Sequence, residues 1–560
     1  MKKNIILYSI IFYISLISTT IAKIYTNLIG YKPDSKKIFI SDIPFDSFYV
    51  KDINNNIIYK GNFSKKYKNY SIAGIDAYVA DFSSIKDTGI FYIQIKSQKS
   101  EPFAIKPNIY NKYYYKVLKG LFYQRCGMDL EPKFAGKFSH KKCHLNDAII
   151  LNEKGKPEKH KNTTGGWHDA GDFGKYSNNA AYTLGYIFLS YLLWGNKMQN
   201  DNTNIPESGN NIPDILDEAK YELLFLLKMQ REDGAVYHKL TPKDYSDLIM
   251  PEDNTSKRYI MPVTSVSTAS VGACFATASI IFKNFDSQFA DTLLNRAKLA
   301  WSFMKKQKKI LKCKNPPGVV TSGYFDDNPS DEFFWLASAL FINNPDNNNY
   351  KTEIINYIKN HKLFSKPGFW NNMENFGSFL LLLNNKLISQ SNYNTIINAL
   401  QNYTTTLIHK MDIDPFGIGL DSSEYIWGSN LYVMDNGFIL STASTILKNK
   451  KLKHYAQNCI NYMLGLNINK KIFITGSNNN EVKHPHHAQS IADNIKEPVP
   501  GLVIEGANKN LHDDETLWKI LKPDTPPAKC YIDHQDSWAS NENDINLSGA
   551  FIALIASFLN

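Results

Sequence analysis

Cysteine is scarce in this chain: six residues, at 126, 143, 274, 313, 459 and 530, among 560. So few cannot staple a polypeptide of this length, and its stability has to come from ordinary packed cores. Apolar runs long enough to span a bilayer are missing beyond the first residues, which excludes a multi-span membrane protein. Charge of one sign is not concentrated either. The formal net charge is +10, yet Lys and Arg are scattered, and the densest group, Lys305 to Lys312, reads as the end of an amphipathic helix. A solvated face accounts for it, so no nucleic-acid partner is expected.

The start, MKKNIILYSIIFYISLISTTIA, has a basic opening at Lys2 and Lys3, an apolar stretch to Ile17, and small residues Thr20 and Ala22. It reads as a removable export signal over residues 1–22 rather than a retained anchor, because the apolar stretch is short and interrupted by Ser and Tyr. The mature protein is then expected to be secreted, free of the membrane and monomeric. Hydrophobic residues make up 43% and charged residues 21%, a globular balance. The aromatic share, 13%, serves either a large core or clefts that stack on flat apolar ligand faces.

Two regimes of periodicity divide the chain. From Lys23 to about Lys106, short alternating segments such as Lys37-Lys-Ile-Phe-Ile-Ser and Thr88-Gly-Ile-Phe-Tyr-Ile-Gln-Ile predict strands, and the 23–106 region predicts a small β-sandwich. Pro102 and Pro107 punctuate the passage to a period of about 3.6. The stretch after Pro213 places Ile215, Ala219, Leu223, Leu226 and Leu227 on one stripe. Similar patterns recur around 178–195, 267–283, 288–308, 331–342, 374–384, 392–409, 435–448 and 452–464, so residues 107–560 predict a large all-helical domain.

Two acidic segments carry the chemistry. In Gly165-Gly-Trp-His-Asp-Ala-Gly-Asp-Phe-Gly-Lys-Tyr176, Asp169 and Asp172 lie among four glycines before a helical stretch. Glycines permit a tight loop, so both carboxylates can address one water; a helix cap beside a turn Asp is the structural alternative. In Tyr531-Ile-Asp-His-Gln-Asp-Ser-Trp-Ala-Ser-Asn-Glu-Asn-Asp-Ile-Asn546, Glu542 follows Trp538. An apolar wall there would keep it protonated as an acid; a surface Glu is the alternative. Separately, Cys126, Cys143, His144 and His160 offer four soft or borderline donors in C-x16-C-H-x15-H order, suited to a closed tetrahedral zinc, unless the two cysteines form a disulfide. The oxygen-rich loop Asp326 to Glu332 suits either calcium or a solvated helix cap.

These segments, with His484-Pro-His-His487, Glu207-Ser-Gly-Asn-Asn-Ile-Pro-Asp, Asp331-Glu-Phe-Phe-Trp335, Tyr425-Ile-Trp-Gly-Ser-Asn430 and Pro498-Val-Pro-Gly501, resemble in order the signatures of glycoside hydrolase family 9. Thr26-Asn-Leu-Ile-Gly-Tyr-Lys-Pro33 resembles the immunoglobulin-like module that precedes the catalytic domain in one branch of that family. The resemblance implies an (α/α)6 barrel after the sandwich and an inverting endo-β-1,4-glucanase acting on β-glucan. By position it makes Asp172 the general base, Asp169 its partner in holding the water, Glu542 the general acid, and Asp533 and His486 further signature residues. It also implies a structural zinc on the Cys/His set, bracing the Asp loop, and makes His487 a substrate contact. Trp335, Trp427 and Trp538 are read as sugar-stacking floors or as core residues. Inversion requires the acid and base to stand roughly 6.5–9.5 Å apart.

Two departures qualify the resemblance. Ala488 stands where the signature has Arg, and Leu547 where it has an aromatic residue, while Asp544 adds a carboxylate near the acid. They motivate two alternatives: an exo-acting relative releasing glucose, cellobiose or glucosamine, and a weakened enzyme that only binds glycan.

Overall fold

The computed structural model describes residues 23–476 and 480–560; the expected export signal, residues 1–22, lies outside them. The N-terminal region folds as two packed sheets. One has the strand order Ile24–Tyr25, Ile38–Ser41, Ile75–Asp81, Lys65–Tyr70 and is antiparallel throughout. The other runs Gly30–Tyr31, Phe103–Ile105, Gly89–Ile95, Phe48–Asp52, Ile57–Gly61. Alternation explains what each face does. Phe39 points inward onto Phe45, Phe48 and Phe82, whereas Ile38 and Ile40, one residue to either side, join the core of the helical domain. The sandwich therefore covers an apolar flank of the helical domain. Polar contacts pin it there: Asn27 Nδ2 donates to Asn461 at 3.0 Å, and the Tyr70 hydroxyl donates to Asp414 at 3.0 Å.

The helical domain is a double ring. Its inner helices are Ser177–Trp194, Ser265–Phe282, Ser330–Asn343, Glu374–Leu383, Ser429–Ile446 and Ile545–Ala556, which are buried on nearly every side. The outer ones, Asn111–Tyr123, Asp214–Met229, Ser287–Lys306, Asn348–Asn360, Gln390–Asp412 and Lys450–Met463, bury one stripe and face water with the other. Ile545–Ala556 packs against Ser177–Trp194 and closes the ring. Small residues make the inner ring possible: Ser265–Phe282 is rich in Ala, Ser and Gly, and a Cβ on Gly272 would meet Ala300 at 2.7 Å. Contrary to the expectation of no such run beyond the first residues, that helix is long and apolar enough to cross a bilayer, the only one among the described residues, but 94% of it is buried inside the protein as a core helix. This arrangement is an (α/α)6 barrel.

The loops that precede the inner helices gather at one end of the ring. Asp544 caps Ile545–Ala556, Tyr176 precedes Ser177–Trp194, and Gly428 precedes Ser429–Ile446. Helix N-termini carry partial positive charge, so this end is suited to hold carboxylates.

Candidate active site

The loop Gly165–Tyr176 is fixed from several sides. Lys175–Tyr176 pairs with Lys239–Thr241 in a small sheet, the Asp169 N–H donates to Gly174 O, and Asp169 O accepts from Ile545 N. Two glycines are obligatory for close approach. Gly166 has φ +76°, and a Cβ there would lie 2.6 Å from Phe225; a Cβ on Gly171 would lie 2.0 Å from the carbonyl oxygen of His486. That closeness brings the two acidic segments together: the Gly171 N–H donates to Glu542 Oε1 at 3.1 Å. The tail is equally constrained, with Glu542 bridged to His486 and its carbonyl accepting from Glu505 N.

Asp169, Asp172 and Glu542 all line one cavity of about 580 Å³. Burial, followed by the Asp172 and Glu505 carboxylates, pushes the Glu542 carboxyl well above the ordinary glutamate range; the Gly171 N–H only partly offsets this. The group is thereby kept in its proton-donating form. Aromatic rings Tyr245, Phe325, Phe369, Trp370 and Trp427 form much of the remaining wall, giving flat apolar surfaces of the kind pyranose rings stack on.

Tyr324 was not legible from the sequence and is central here. Its hydroxyl lies 2.6 Å from Asp169 Oδ2 and 2.5 Å from Asp544 Oδ2, while Asn179 Nδ2 donates to the other oxygens of both acids, at 2.8 and 2.9 Å. One hydroxyl carries one proton, so two such short contacts require a second proton on one carboxyl group. Burial, then Asp544, raises Asp169 well above the usual range, and burial pushes Asp544 up to about 6. The pair shares that proton through Tyr324. Tyr324→Phe removes the bridge, so Asp169 and Asp544 lose the hydroxyl through which their proton is shared. We expect kcat to fall roughly 10- to 100-fold with little change in KM, since the loss is of the geometry that sets Asp169 in the cavity beside Asp172; steady-state kinetics at matched folding, checked by circular dichroism, measures it.

Several expected site residues lie elsewhere. Trp335 is 0% exposed, donates from Nε1 to Thr277 and packs edge-on against Phe376, so it is a core residue and not a stacking floor. Trp538 donates to Asp513 O and packs against the small cluster of Leu511, Leu517, Cys530 and Ala539, and it does not line the cavity. His487 is buried: its Nε2 donates to Gln124 Oε1, and Gln124 Nε2 in turn donates to Ala170 O. Burial lowers its pKa to about 3, so it is a neutral prop of the Asp loop, not a sugar contact. His486 donates to Gln535 O from beside Glu542, and Asp533 accepts from Lys471 and from the backbone of Lys483 and His484; neither lines the cavity. Of the three tryptophans, only Trp427, 40% exposed, is part of the wall. The structure also adds Glu505, which no sequence signal singled out.

The metal set needs one correction. His160 is exposed, with Nε2 near Asn146 O, whereas His168, inside the Asp loop itself, completes the cluster with Cys126, Cys143 and His144. The four donor atoms all lie within 4.8 Å of one another. The sulfurs are 3.9 Å apart, and His168 Nε2 is 3.3 Å from His144 Nδ1. A tetrahedral ion with metal–sulfur bonds of about 2.3 Å and metal–nitrogen bonds of about 2.05 Å requires edges of about 3.8 and 3.3 Å, so the set fits. The sulfur separation excludes a disulfide in this conformation. Lys175 Nζ stands 3.6 Å from Cys126 Sγ and supplies positive charge that favours the Cys126 thiolate.

Two acidic clusters differ in how closely they set their oxygens. Asp201, Asp214 and Asp217 accept from loop donors, including Gly209 N, Thr203 N and Asn210 Nδ2. In the 326–332 loop, by contrast, burial and then the neighbouring Asp331 raise the Glu332 carboxyl well above the usual range, and these acids form no close-set ligand group among the described residues, whereas the oxygens of Asp201, Asp214 and Asp217 lie within 4.8 Å of one another, a spacing that suits a hard cation such as calcium.

Comparison with known proteins agrees with this geometry. Residues 110–555 match the model of glycosyl hydrolase family 9, and residues 19–100 match that of the cellulase N-terminal ig-like domain. A cellodextrinase of Butyrivibrio fibrisolvens is 32% identical over 559 residues, covering 96% of this chain and 100% of the relative. Endoglucanase D of Acetivibrio thermocellus is 31% identical over 549 residues, covering 96% and 84%. The crystal structure of a metagenome-derived family 9 endoglucanase superposes with a TM-score of 0.89 at 28% identity, covering 96% and 99%. The chain is a cellulase-like glycoside hydrolase and belongs to glycosyl hydrolase family 9, with the ig-like domain preceding its barrel.

Proposed function

We propose that the protein is an exported, inverting endo-β-1,4-glucanase. The observation that carries this is the meeting of Asp172 and Glu542 in one aromatic-walled cavity, with Glu542 held protonated. Asp172 takes a proton from a water held beside Asp169. The water oxygen bonds to the anomeric carbon, the glycosidic bond breaks with its electrons passing to the leaving oxygen, and that oxygen takes the Glu542 proton. Products form with inverted configuration, and once they leave, Asp172 gives its proton to solvent water while Glu542 takes one from it, which restores both groups. A polymeric substrate outside the cell agrees with the export signal read in residues 1–22.

One observation favours a second reading, attack on short chains from their ends: the cellodextrinase relative aligns along its entire length. Purified protein incubated with carboxymethyl cellulose and cello-oligosaccharides separates the two. A rapid fall in viscosity is expected for internal cutting; monomer or dimer release without it assigns end attack, and tight retention on a glycan without any product leaves only a binding protein.

We also propose that the Cys126, Cys143, His144 and His168 set holds zinc and that Asp201, Asp214 and Asp217, whose oxygens lie within 4.8 Å of one another, hold calcium. Four protein ligands leave no open position on the zinc, so its contribution is to brace the loop: His168 adjoins Asp169 in sequence, and a bonded imidazole fixes the backbone that carries both acids.

A further inference from the structure

Three buried acids have no part in the proposed hydrolysis and share one task. Residues 361–373 lead into the inner helix Glu374–Leu383. Their backbone donates to carboxylates outside the cavity: Phe364 N to Glu374 Oε2 at 2.8 Å, Gly368 N to Asp435 Oδ2 at 2.6 Å, and Met373 N to Asp331 Oδ2 at 2.6 Å. The same segment presents Phe369 and Trp370 to the cavity, so whatever fixes it also fixes two rings on which a sugar can stack.

Asp435 holds the segment next to those rings, because Gly368 adjoins Phe369. It projects from the inner helix Ser429–Ile446 and is 1% exposed. Burial pushes its pKa up to about 6, which leaves it a carboxylate acceptor at neutral pH. Its other oxygen accepts from the Tyr186 hydroxyl at 2.7 Å, and that hydroxyl lies 2.8 Å from the Tyr182 hydroxyl. The one Tyr186 proton goes to Asp435, so Tyr182 donates to Tyr186. A ladder of polar groups therefore crosses from the inner helix Ser177–Trp194 through Asp435 to the loop. The approach is close enough to require glycine: a Cβ on Gly368 would lie 2.9 Å from Asp435 Oδ1 and 3.3 Å from the Tyr182 hydroxyl oxygen. An apolar side chain would fill this place without the cost of burying an acid; what the acid adds is a directed acceptor for the loop. Beyond it, Phe369 stacks on Tyr432 at 5.0 Å, and Trp370 meets the Tyr324 ring edge-on at 5.4 Å. Tyr324 is itself held by Asp169 and Asp544, so displacement of the loop moves the sugar floor before it moves the acids.

We propose that Asp435 is a positioning residue for substrate binding: through the Gly368 N–H it sets Phe369 and Trp370 in the cavity wall and so determines how tightly a glucan chain is held, with no part in bond cleavage. This rests on the hydrolase reading for turnover, but not for binding.

The test compares full-length mature variants at pH 7, matched for folding by circular dichroism. Asp435→Ala leaves the Gly368 N–H without its acceptor. Gly368→Ala disturbs the same contact from the loop side and, should Asp435→Ala not fold, carries the comparison alone. Asp435→Asn is the conservative variant: its amide oxygen still accepts from Gly368, while its amide nitrogen donates to Tyr186, whose own proton turns to Tyr182. With cellotetraose, KM is expected to rise about 10-fold or more in the two alanine variants while kcat stays within about 3-fold, and Asp435→Asn should lie near the parent. Titration calorimetry in the Glu542→Gln background should show the same rise in Kd. Trp370→Ala should weaken binding by itself, and Asp435→Ala added to it should cost little more, because both act through one ring. Unchanged KM and Kd, a loss confined to kcat, or full additivity with Trp370→Ala overturns the positioning role while the hydrolase stands. No cleavage of any oligomer by the parent, with the weakened binding of Asp435→Ala intact, supports the positioning role and overturns the hydrolase reading.

Discussion

Glu542→Gln is expected to lower kcat by roughly 10²- to 10⁴-fold and to leave the protein as stable as before, or more so. Gln preserves the shape and the acceptor for the Gly171 N–H but has no proton to give. The stability sign follows from the raised pKa. Between the unfolded value, about 4.3, and the higher folded one, the native protein binds a proton that the unfolded chain has released, so stability falls as pH rises through that window. Gln cannot ionise, and its melting temperature should gain on the parent progressively from pH 5 upward. For the parent enzyme, the alkaline limb of kcat/KM should lie well above an ordinary glutamate pKa, because activity is lost only when Glu542 deprotonates. A substrate with a fluoride leaving group separates acid from base. It needs little protonation, so Glu542→Gln should recover most turnover on it, while Asp172→Asn should remain inactive. Unchanged turnover of Glu542→Gln on an oligosaccharide would exclude Glu542 as the proton donor.

His168→Ala is expected to release the tetrahedral ion and destabilise the protein by several kcal/mol, because binding energy at a structural zinc is folding energy. His160→Ala should do neither, since that side chain is exposed and outside the cluster. Metal analysis should find about one zinc per chain in the parent and in His160→Ala, and little in His168→Ala or Cys143→Ser. Activity should fall with the metal, through movement of Asp169 and Asp172 rather than loss of a reacting group. A parent protein free of zinc whose melting is indifferent to chelators, or one with Cys126 and Cys143 joined by a disulfide, would exclude the assignment.

The contrast between His160 and His168 shows where linear spacing fails. Both lie within a few tens of residues of the cysteines, and the C-x16-C-H-x15-H pattern has no means of telling which histidine folds back. Pairing of Ile149–Leu151 with Pro157–His160 points His160 outward, whereas the Gly165–Gly166 turn returns His168 to Cys143. Trp335 fails for a related reason. It sits in an inner helix, where the 3.6 period gives no outside face to separate ligand contact from core. The same lack of a polar face left Ile545–Ala556 unread as a helix, and the Asn-rich stretch around 348 hid Asn348–Asn360, whose cap is Asn347.

By itself the sequence determined the change from strand to helix near residue 107, most of the amphipathic outer helices, and the two acidic segments, because period, glycine placement and residue type are local properties of the chain. Only the tertiary structure decided which distant side chains share a cavity. Asp169, Tyr324 and Asp544 lie more than a hundred residues from one another, and Glu505 belongs to no pattern at all. They meet because the inner helices close into a ring whose N-terminal loops converge at one end, and that convergence buries carboxylates closely enough for each to set the charge of the next.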